Sequence, residues 1–327
     1  MTYNSGNTLQ KRFVNSKYTL TTLLAGSLIM WLAGMLFLGN RDAVLFSQPV
    51  VSYTWLPYLI SFIVYIVVAF IVNSFVIIEG RISWIGGLVM WLAALSFSIH
   101  DNTPLCLSSL MQVLLFAVTL SCYQRNDVQK WIFAAFAFIS FLSLFNHCYL
   151  YLLPLLFVYI AMTATFCIRN IAAAIIGAVT PQWILLGAIS LLPNYSYLME
   201  DYIRGFNELF PFDMTMPSFP ILMQAVLELF VLITALSVFV RSTSPAKPLM
   251  RKMFIFFVVT GFYLLLLSFF VSEYSEMLYV WRLPGLAIMM AYLFSVRLTK
   301  TFNVIFIILN VLWVILSAVN VWYGFFG

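Results

Sequence analysis

Charged residues are scarce in this chain of 327 residues: Asp, Glu, Lys and Arg together make up 8% of it, and only two residues are histidine. A soluble domain carries roughly 25% charged residues. This scarcity excludes a soluble globular protein, a disordered chain and a nucleic-acid-binding protein, because each of these depends on abundant polar or basic residues. By contrast, 64% of the residues are hydrophobic and the mean hydropathy is +1.03. The composition predicts an all-α, polytopic bundle of transmembrane helices.

Cysteine is also rare, and the four cysteines have neither CxxC nor metal-ligand spacing. They lie in or at the ends of apolar segments, so we expect buried, inert thiols: Cys106, Cys122, Cys148 and Cys167. Cys106 and Cys148 fall on the same side of the membrane in the predicted topology, which leaves a disulfide between them open. The chain lacks a P-loop, a GxGxxG turn and an HExxH helix. An ATP-driven pump or a nucleotide-sugar enzyme with its own soluble domain is therefore excluded.

Long apolar runs divide the chain into eleven predicted spans. A helix that crosses a bilayer needs about 20 mostly apolar residues. The run over residues 131–168 is too long for one helix, so we predict a tight hairpin broken at Asn146 and His147, with Pro154 early in the second arm. The predicted spans are 19–38, 55–78, 82–99, 105–123, 131–146, 148–168, 170–192, 219–240, 253–271, 279–296 and 301–325.

The basic residues are distributed unevenly between the loops. Cytoplasmic loops of membrane proteins carry an excess of Lys and Arg. With the N-terminus in the cytoplasm, only Arg41, Arg204 and Arg282 of the 16 basic residues fall outside. The sequence therefore predicts a cytoplasmic N-terminus and a C-terminus on the outer side. The cytoplasmic basic residues in this topology are Lys11, Arg12, Lys17, Arg81, Arg125, Lys130, Arg169, Arg241, Lys247, Arg251, Lys252, Arg297 and Lys300.

Two short outer loops carry ionisable residues close to the predicted membrane surface. Arg41 and Asp42 directly follow the first span; the arginine could bind a phosphate, and the carboxylate could act as a general base or hold a divalent metal. His100 and Asp101 precede a turn, and with His147 they could form a metal site or an acid–base pair. The alternative for both loops is ordinary turn chemistry with a local ion pair.

The longest loop, residues 193–218, is predicted to contain an amphipathic helix in the outer interface of a single transmembrane domain that covers residues 1–327. At helical spacing, Glu200, Arg204 and Glu208 line one face of this helix. These ion pairs could be structural only. The functional alternative is a lid over a membrane-edge cleft, with Arg204 reaching a phosphate.

Two ionisable residues fall inside predicted spans. Glu228 lies near the bilayer centre with Gln224 one turn earlier, and a carboxylate there is a functional hypothesis by default. Together they could line a polar cavity, a proton path or a helix–helix contact. Arg282 is predicted in the first turn of the tenth span, where an arginine needs a partner or extends to the interface. Glu273 or Glu276 is the natural partner, and Arg282 is the best candidate for binding an anionic head group.

Proline, tryptophan and small residues suggest local features of two spans. Pro284 suits an early helix position, and Trp281 fits the aromatic belt at the membrane boundary. Pro181 and Gln182 in the seventh span suggest a kink with a polar lining, and so a cavity. Small residues around Gly177 suggest close helix packing in the same span.

Several stretches spread along most of the chain resemble a poorly characterised family of multi-pass inner-membrane proteins from Bacteroidota. The resemblance implies a Gram-negative inner membrane, with the outer face in the periplasm. The stretches are Leu9–Leu20, Ser140–Phe145, Leu153–Phe157, Arg169–Pro181 and Leu283–Ile288.

More distantly, the chain is similar to membrane glycosyltransferases that take sugars from polyprenyl phosphate. Those enzymes have an acidic residue in the first periplasmic loop, and Asp42 occupies that place here. O-antigen polymerases and ligases hold lipid pyrophosphate with periplasmic arginines. The resemblance implies the same role for Arg41, Arg204 and Arg282.

Three functions follow from these residues. The first is a periplasm-facing glycosyltransferase or glycan polymerase, with Asp42 as base or metal ligand, His100 and Asp101 assisting, and Arg204 and Arg282 holding the phosphate of a polyprenyl-linked sugar. The second is a non-catalytic subunit that docks other envelope membrane proteins. The third is a lipid-linked substrate transporter or flippase with Glu228 on its path. The sequence predicts contact with membrane lipid and none with nucleic acid, and it names no cofactor beyond a divalent metal that Asp42 could hold.

Overall fold

The computed structural model is all-helical, as the composition predicts. It describes residues 9–38, 55–75, 84–96, 99–100, 102–122, 127–163, 167–192, 195–207, 219–241, 248–271, 274–296 and 300–326. Within these ranges 92% of the residues are helical and none is in a strand.

The described ranges hold thirteen α-helices and one 3₁₀ helix of six residues, His147–Leu152. In chain order the α-helices are α1 Leu9–Asn15, α2 Thr19–Leu38, α3 Trp55–Phe75, α4 Ile85–Ala94, α5 Thr103–Ser121, α6 Val128–Ser143, α7 Leu153–Met162, α8 Ile168–Ser190, α9 Tyr195–Asn207, α10 Phe219–Arg241, α11 Pro248–Phe270, α12 Ser275–Val296 and α13 Lys300–Phe326.

A helix is present in each of the eleven apolar segments of the sequence. Six of these helices, α3, α5, α8, α10, α11 and α12, are long and apolar enough to cross a membrane. The five other apolar stretches are shorter: Thr19–Ala33, Ile85–Ala94, Val128–Ser143, His147–Met162 and Phe302–Leu316. These helices indicate a multi-pass membrane protein.

The chain divides into two compact units. Unit 1 comprises Met1–Val113, Met216–Leu266 and Glu276–Gly327. In it, α2 and α3 both pack on α4, α10 packs on α13, and the short α1 contacts α2 and α13. Gln10 joins α1 to α13 and α12, because its backbone N–H donates to Asn303 Oδ1 of α13 at 2.8 Å and its side chain donates to the Phe294 carbonyl of α12 at 2.9 Å.

Helix α12 is the most buried of the membrane-length helices of unit 1. Over an 18-residue window within Ser275–Ser295, 94% of the residues are buried, against 39–56% for α3, α5, α10 and α11. A helix that is apolar all round belongs in the interior of a bundle. Other helices therefore surround α12, and any polar side chain on it must find its partner inside the protein.

Unit 2 comprises Leu114–Thr215 and Leu267–Ser275. Its hairpin confirms the predicted break: α6 ends at Ser143, and the Asn146 side chain caps the 3₁₀ helix by accepting from the Cys148 backbone N–H at 2.9 Å. Pro154 occupies the first turn of α7, as expected, since proline there removes no helical hydrogen bond.

The pairing of α6 with α8 is the most extensive helix contact of unit 2, and it depends on a small residue. A Cβ atom added to Gly177 of α8 would lie 2.6 Å from the backbone oxygen of Phe133 in α6. Only a residue without a side chain lets the two backbones approach this closely. The close packing predicted around Gly177 is confirmed.

We expect Gly177→Ala to weaken the α6–α8 pair, because the new methyl group meets backbone that cannot move aside. The matched control is Gly187→Ala in the same helix, where nothing lies within 4 Å of the added Cβ. Thermal unfolding of both variants in detergent should show Gly177→Ala to be less stable than Gly187→Ala by about 1–3 kcal/mol. Equal stabilities would contradict the observed helix contact.

Candidate functional site

The polar contacts of unit 1 concentrate on one turn of α12, from Tyr279 to Arg282. Four neighbouring helices supply partners to this turn: the end of α4, α5, α10 and α11. A membrane-length helix with this many polar contacts is unusual, because polar groups in apolar surroundings are costly unless they are paired.

The central contact is a buried ion pair between α12 and α10. Arg282 Nε lies 2.6 Å from Glu228 Oε2, and the two side chains are only 5% and 1% exposed. Arg282 Nη1 also donates to the Leu264 carbonyl of α11 at 3.2 Å. The guanidinium therefore ties three helices together.

Such a pair gains little stability over apolar residues of the same size, because removing both charges from water offsets most of their attraction. Removing one partner alone is strongly destabilising, since the other charge then stays buried without compensation. Ionisable residues inside a membrane therefore mark functional sites by default. Glu228 and Arg282 form the candidate site of this chain.

Three further polar side chains surround the pair. The Tyr279 ring lies 5.7 Å from the Arg282 guanidinium carbon, and its hydroxyl donates to Ser96 Oγ at 2.5 Å. Ser96 Oγ in turn donates to a backbone carbonyl of α4. Gln224, one turn before Glu228, lies close to both the Glu228 carboxylate and the Tyr279 hydroxyl. The charges thus sit in a small polar cluster within an apolar bundle.

Pro284 of α12 lies two residues after Arg282. Pro284 is inside α12 and has no N–H, so the carbonyl one turn before it loses a helical hydrogen bond. At this level α5 holds the helix from outside: Gln112 Nε2 donates to the Trp281 carbonyl at 2.8 Å, and Trp281 Nε1 donates to Ser108 Oγ at 3.2 Å. The segment that carries Arg282 is therefore fixed by side chains of α5.

Several expectations for this region were wrong. α12 begins at Ser275, so Pro284 lies in mid-helix rather than in the first turn, and Arg282 lies two turns inside. Arg282 pairs with Glu228 instead of an acid preceding its own helix. Glu276 is exposed and six positions earlier, which places it on a different face of α12; Glu273 lies outside the described residues.

The aromatic-belt prediction for Trp281 was also wrong. The indole is 1% exposed and packs in the interior of unit 1. Because α12 begins at Ser275 rather than at residue 279, Trp281 lies in the second turn of the helix instead of at its end.

His100 is part of the packed interior of unit 1. It is 1% exposed and stacks on Trp31 with ring centroids 4.0 Å apart, while its Nε2 donates to the Ala94 carbonyl at 3.1 Å. Burial lowers the pKa of His100 to about 4, so the ring is neutral at pH 7. Asp101, the residue expected to act with it, lies outside the described residues.

The other predicted outer residues are separate from this cluster or undescribed. Arg41 and Asp42 lie outside the described residues, as does Glu208. Arg204 is exposed near the end of α9, and Glu200 is exposed one turn earlier. Among the described residues the ion pairs are Arg282–Glu228 and the surface pair Lys130–Asp127.

Unit 2 has its own polar link, which holds α9 in place. Tyr202 of α9 donates its hydroxyl to Gln182 Oε1 of α8, and Gln182 Nε2 donates to Ser143 Oγ at 2.7 Å. Burial raises the pKa of Tyr202, which keeps the phenol protonated as a donor. The His147 ring packs against Tyr202 and directly over Gly205. Gln182, expected to line a cavity, instead joins three helices.

A small cleft lies on the other side of α12, within unit 1. Its polar groups are hydroxyls and one thiol, with Ser61 Oγ 3.9 Å from Cys106 Sγ. No charged residue lines the cleft, so the cleft gives no reason to propose a charged ligand there. The lining residues are Ser61, Val64, Val89, Ala93, Ile99, Cys106, Ser109, Val280 and Leu283.

The cysteines are free where the structure describes them. Cys106, Cys122 and Cys148 are buried, as expected, and no disulfide joins Cys106 to Cys148. The expectation of burial was wrong for Cys167, which is exposed because it precedes α8 in an extended conformation. No group of three or more His, Cys, Asp or Glu side chains that could hold a metal occurs among the described residues.

Sequence reasoning missed most of the neutral members of the cluster: Tyr279, Ser96, Gln112 and Ser108. Single polar residues in apolar helices have no motif that links them. The one available signal was the spacing of Ser108 and Gln112, which places both on the same face of α5.

No known protein family, curated protein or solved structure matches this chain. The residues and their contacts alone therefore carry the functional proposal.

If Glu228 and Arg282 form a buried pair, neutralising one of them should cost more than neutralising both. We expect Glu228→Gln and Arg282→Gln each to lower the free energy of unfolding by about 3–5 kcal/mol, since each leaves an unpaired buried charge. The double variant should be more stable than either single variant.

The control for this cycle is Lys130→Gln, which breaks an exposed pair whose side chains are 81% and 66% exposed. That change should alter stability by less than about 1 kcal/mol. Chemical unfolding in detergent measures all four variants. Losses that simply add in the double variant would show that the two side chains do not interact.

Proposed function

We propose that the chain is an inner-membrane protein with eleven spans, a cytoplasmic N-terminus and a periplasmic C-terminus. The concentration of basic residues on one side supports the orientation. The helices found in all eleven apolar segments support the number of spans.

The exposed Cys167 offers a direct test of this topology, because the three other cysteines are buried. Cys167 lies between α7 and α8, on the predicted cytoplasmic side. A membrane-impermeant maleimide should label it only after the cell membrane is opened. In a Cys167→Ser background, Glu200→Cys on α9 should be labelled in intact cells. The reverse pattern would contradict the proposed orientation.

We propose further that the protein binds the phosphate of a lipid-linked substrate through Arg282 and moves that substrate across the membrane. The observation that carries this proposal is the buried Arg282–Glu228 pair, whose residues lie inside two membrane-length helices. A purely structural contact could be made by apolar residues with equal or better stability. A charge pair at this depth is typical of substrate pathways.

The chemistry of arginine favours a phosphate as the ligand. A guanidinium has five N–H donors in a planar fork that matches phosphate geometry. In the structure Glu228 and the Leu264 carbonyl engage Nε and Nη1. A phosphate that reaches this depth must carry an apolar chain, because the surrounding helix surfaces are apolar. A polyprenyl phosphate or a polyprenyl-linked sugar has both properties.

The position of Pro284 favours movement over static binding. Discontinuities in transmembrane helices occur where transporters bind their substrates. Here Pro284 lies two residues after Arg282, and Gln112 of α5 binds the neighbouring Trp281 carbonyl. A small bend of α12 would change the access to Arg282 without unfolding the helix.

Glycosyl transfer at the periplasmic face is the second proposal, favoured by the acidic residue that follows the first predicted span, Asp42. In it Asp42 acts as the base, and Arg41 or the exposed Arg204 holds the phosphate before transfer. His100, packed on Trp31, would position the loop that carries Asp101.

Binding of farnesyl phosphate, with farnesol as the uncharged control, tests the proposed substrate class. Wild-type protein in neutral-lipid nanodiscs should bind the phosphate in preference to the alcohol, as measured by native mass spectrometry. The double variant Glu228→Gln/Arg282→Gln leaves no unpaired charge, so it should fold but lose roughly tenfold or more in affinity for the phosphate.

Arg169→Gln, at an exposed position, should bind like the wild type. In proteoliposomes the wild type should also translocate a fluorescent polyprenyl phosphate. A sugar-transfer product without translocation would favour the glycosyltransferase. Equal binding of farnesyl phosphate and farnesol would contradict both proposals.

A further inference from the structure

Glu228 occupies the place on Arg282 that the proposed function gives to a phosphate. Its Oε2 lies 2.6 Å from Arg282 Nε, in direct contact with the guanidinium. Carboxylate and phosphate oxygens are the two anionic groups that a guanidinium binds in the same way. The chain therefore carries its own competitor for the site.

This competitor is held permanently at the site. Glu228 belongs to α10, Arg282 belongs to α12, and both are buried. An incoming ligand must displace a carboxylate whose local concentration is fixed by the fold. A ligand carboxylate carries the same charge as Glu228, so Arg282 gains no attraction when such a ligand replaces Glu228.

A phosphate monoester differs from a carboxylate in both charge and number of acceptor oxygens. It carries about −1.5 to −2 charges at neutral pH, against one for a carboxylate, and it has three strong acceptor oxygens. Its stronger attraction to Arg282 can offset the displacement of Glu228. A fatty acid, which is also an apolar chain with an anionic head, cannot.

The displaced carboxylate has alternative donors nearby. The Gln224 amide and the Tyr279 hydroxyl both lie close to it. Tyr279 now donates to Ser96 and can turn to a carboxylate. Glu228 therefore has a second set of partners within the same polar cluster.

We infer that Glu228 is a specificity-determining residue that admits lipid-linked phosphate monoesters to Arg282 and rejects monoanionic lipids such as fatty acids. The inference rests on the proposed function and adds the substrate class and the residue that selects it. Rejection of fatty acids matters in a membrane, where single-chain anions compete for any buried arginine.

Competition between farnesyl phosphate and oleate tests this role. The full-length protein in phosphatidylcholine nanodiscs is titrated with each ligand, and native mass spectrometry gives the ratio of affinities. The wild type should prefer farnesyl phosphate strongly. In Glu228→Gln the oleate affinity should rise by about tenfold or more, into the measurable range, because the carboxylate that competes for Arg282 is gone; the farnesyl phosphate affinity should rise as well. Glu276→Gln, which removes an exposed acid of the same helix, should keep the wild-type preference.

The outcomes separate the two proposals. If the wild type binds no farnesyl phosphate, the proposed function and this inference both fail. If Glu228→Gln binds farnesyl phosphate but binds oleate no more tightly than the wild type does, only the inference fails. Loss of both ligands by a folded Glu228→Gln protein would also overturn it, since Glu228 would then support the site instead of competing for it.

A measurement on the wild type covers the case in which Glu228→Gln does not fold. Infrared difference spectra on addition of farnesyl phosphate should show a change in a buried carboxyl band, because Glu228 exchanges its partner. Oleate at the same concentration should produce no such change. A spectrum without a carboxyl change on farnesyl phosphate binding would overturn the inference.

Discussion

The contact of Arg282 with Glu228 is the constraint on which unit 1 depends. It joins α12 to α10, and the same guanidinium reaches the Leu264 carbonyl of α11. In a soluble protein water could compensate a broken ion pair, but inside an apolar bundle neither charge has another partner of opposite sign among the residues that the structure describes. The relative placement of these three helices is therefore specified by one arginine. Apolar packing alone would allow them to slide or rotate at little cost, since lipid and apolar side chains are equivalent surroundings.

Three other polar side chains of unit 1 serve the same turn of α12. Ser96 holds Tyr279, and Ser108 and Gln112 hold Trp281. These contacts matter because Pro284 weakens the backbone of α12 at this level. The backbone of α12 therefore lacks one of its own hydrogen bonds at this level, while side chains of neighbouring segments hold the helix in place. That combination suits a site whose arginine must exchange one anionic partner for another without losing its position.

Unit 2 uses neutral groups for a comparable purpose. Gln182 of α8 binds the end of α6 and the Tyr202 hydroxyl of α9, while Gly177 lets α6 and α8 approach closely. No buried ion pair occurs among its described residues. The difference agrees with a division of labour, in which unit 2 is a packed scaffold and unit 1 carries the charged site.

Much of the helical structure could be read from the sequence. Composition and apolar run length predicted an all-α protein, the position of every apolar helix and the break at Asn146, because these are local properties of the chain. The importance of Glu228 and Arg282 was also visible, since an ionisable residue in an apolar run is conspicuous. The depth of Arg282 was not, because the polar residues before Trp281 concealed the start of α12 at Ser275.

Only the tertiary structure decided which residues meet. It paired Arg282 with Glu228 instead of Glu276, stacked His100 on Trp31, and brought Ser96 to Tyr279. Each of these contacts joins segments far apart in the chain. Apolar helices pack in many arrangements of similar energy, and the periodicity of one helix does not name the helix it faces. The sequence by itself determined where helices form and which of their residues are costly in a membrane; the partners that make those residues tolerable were decided by the packing.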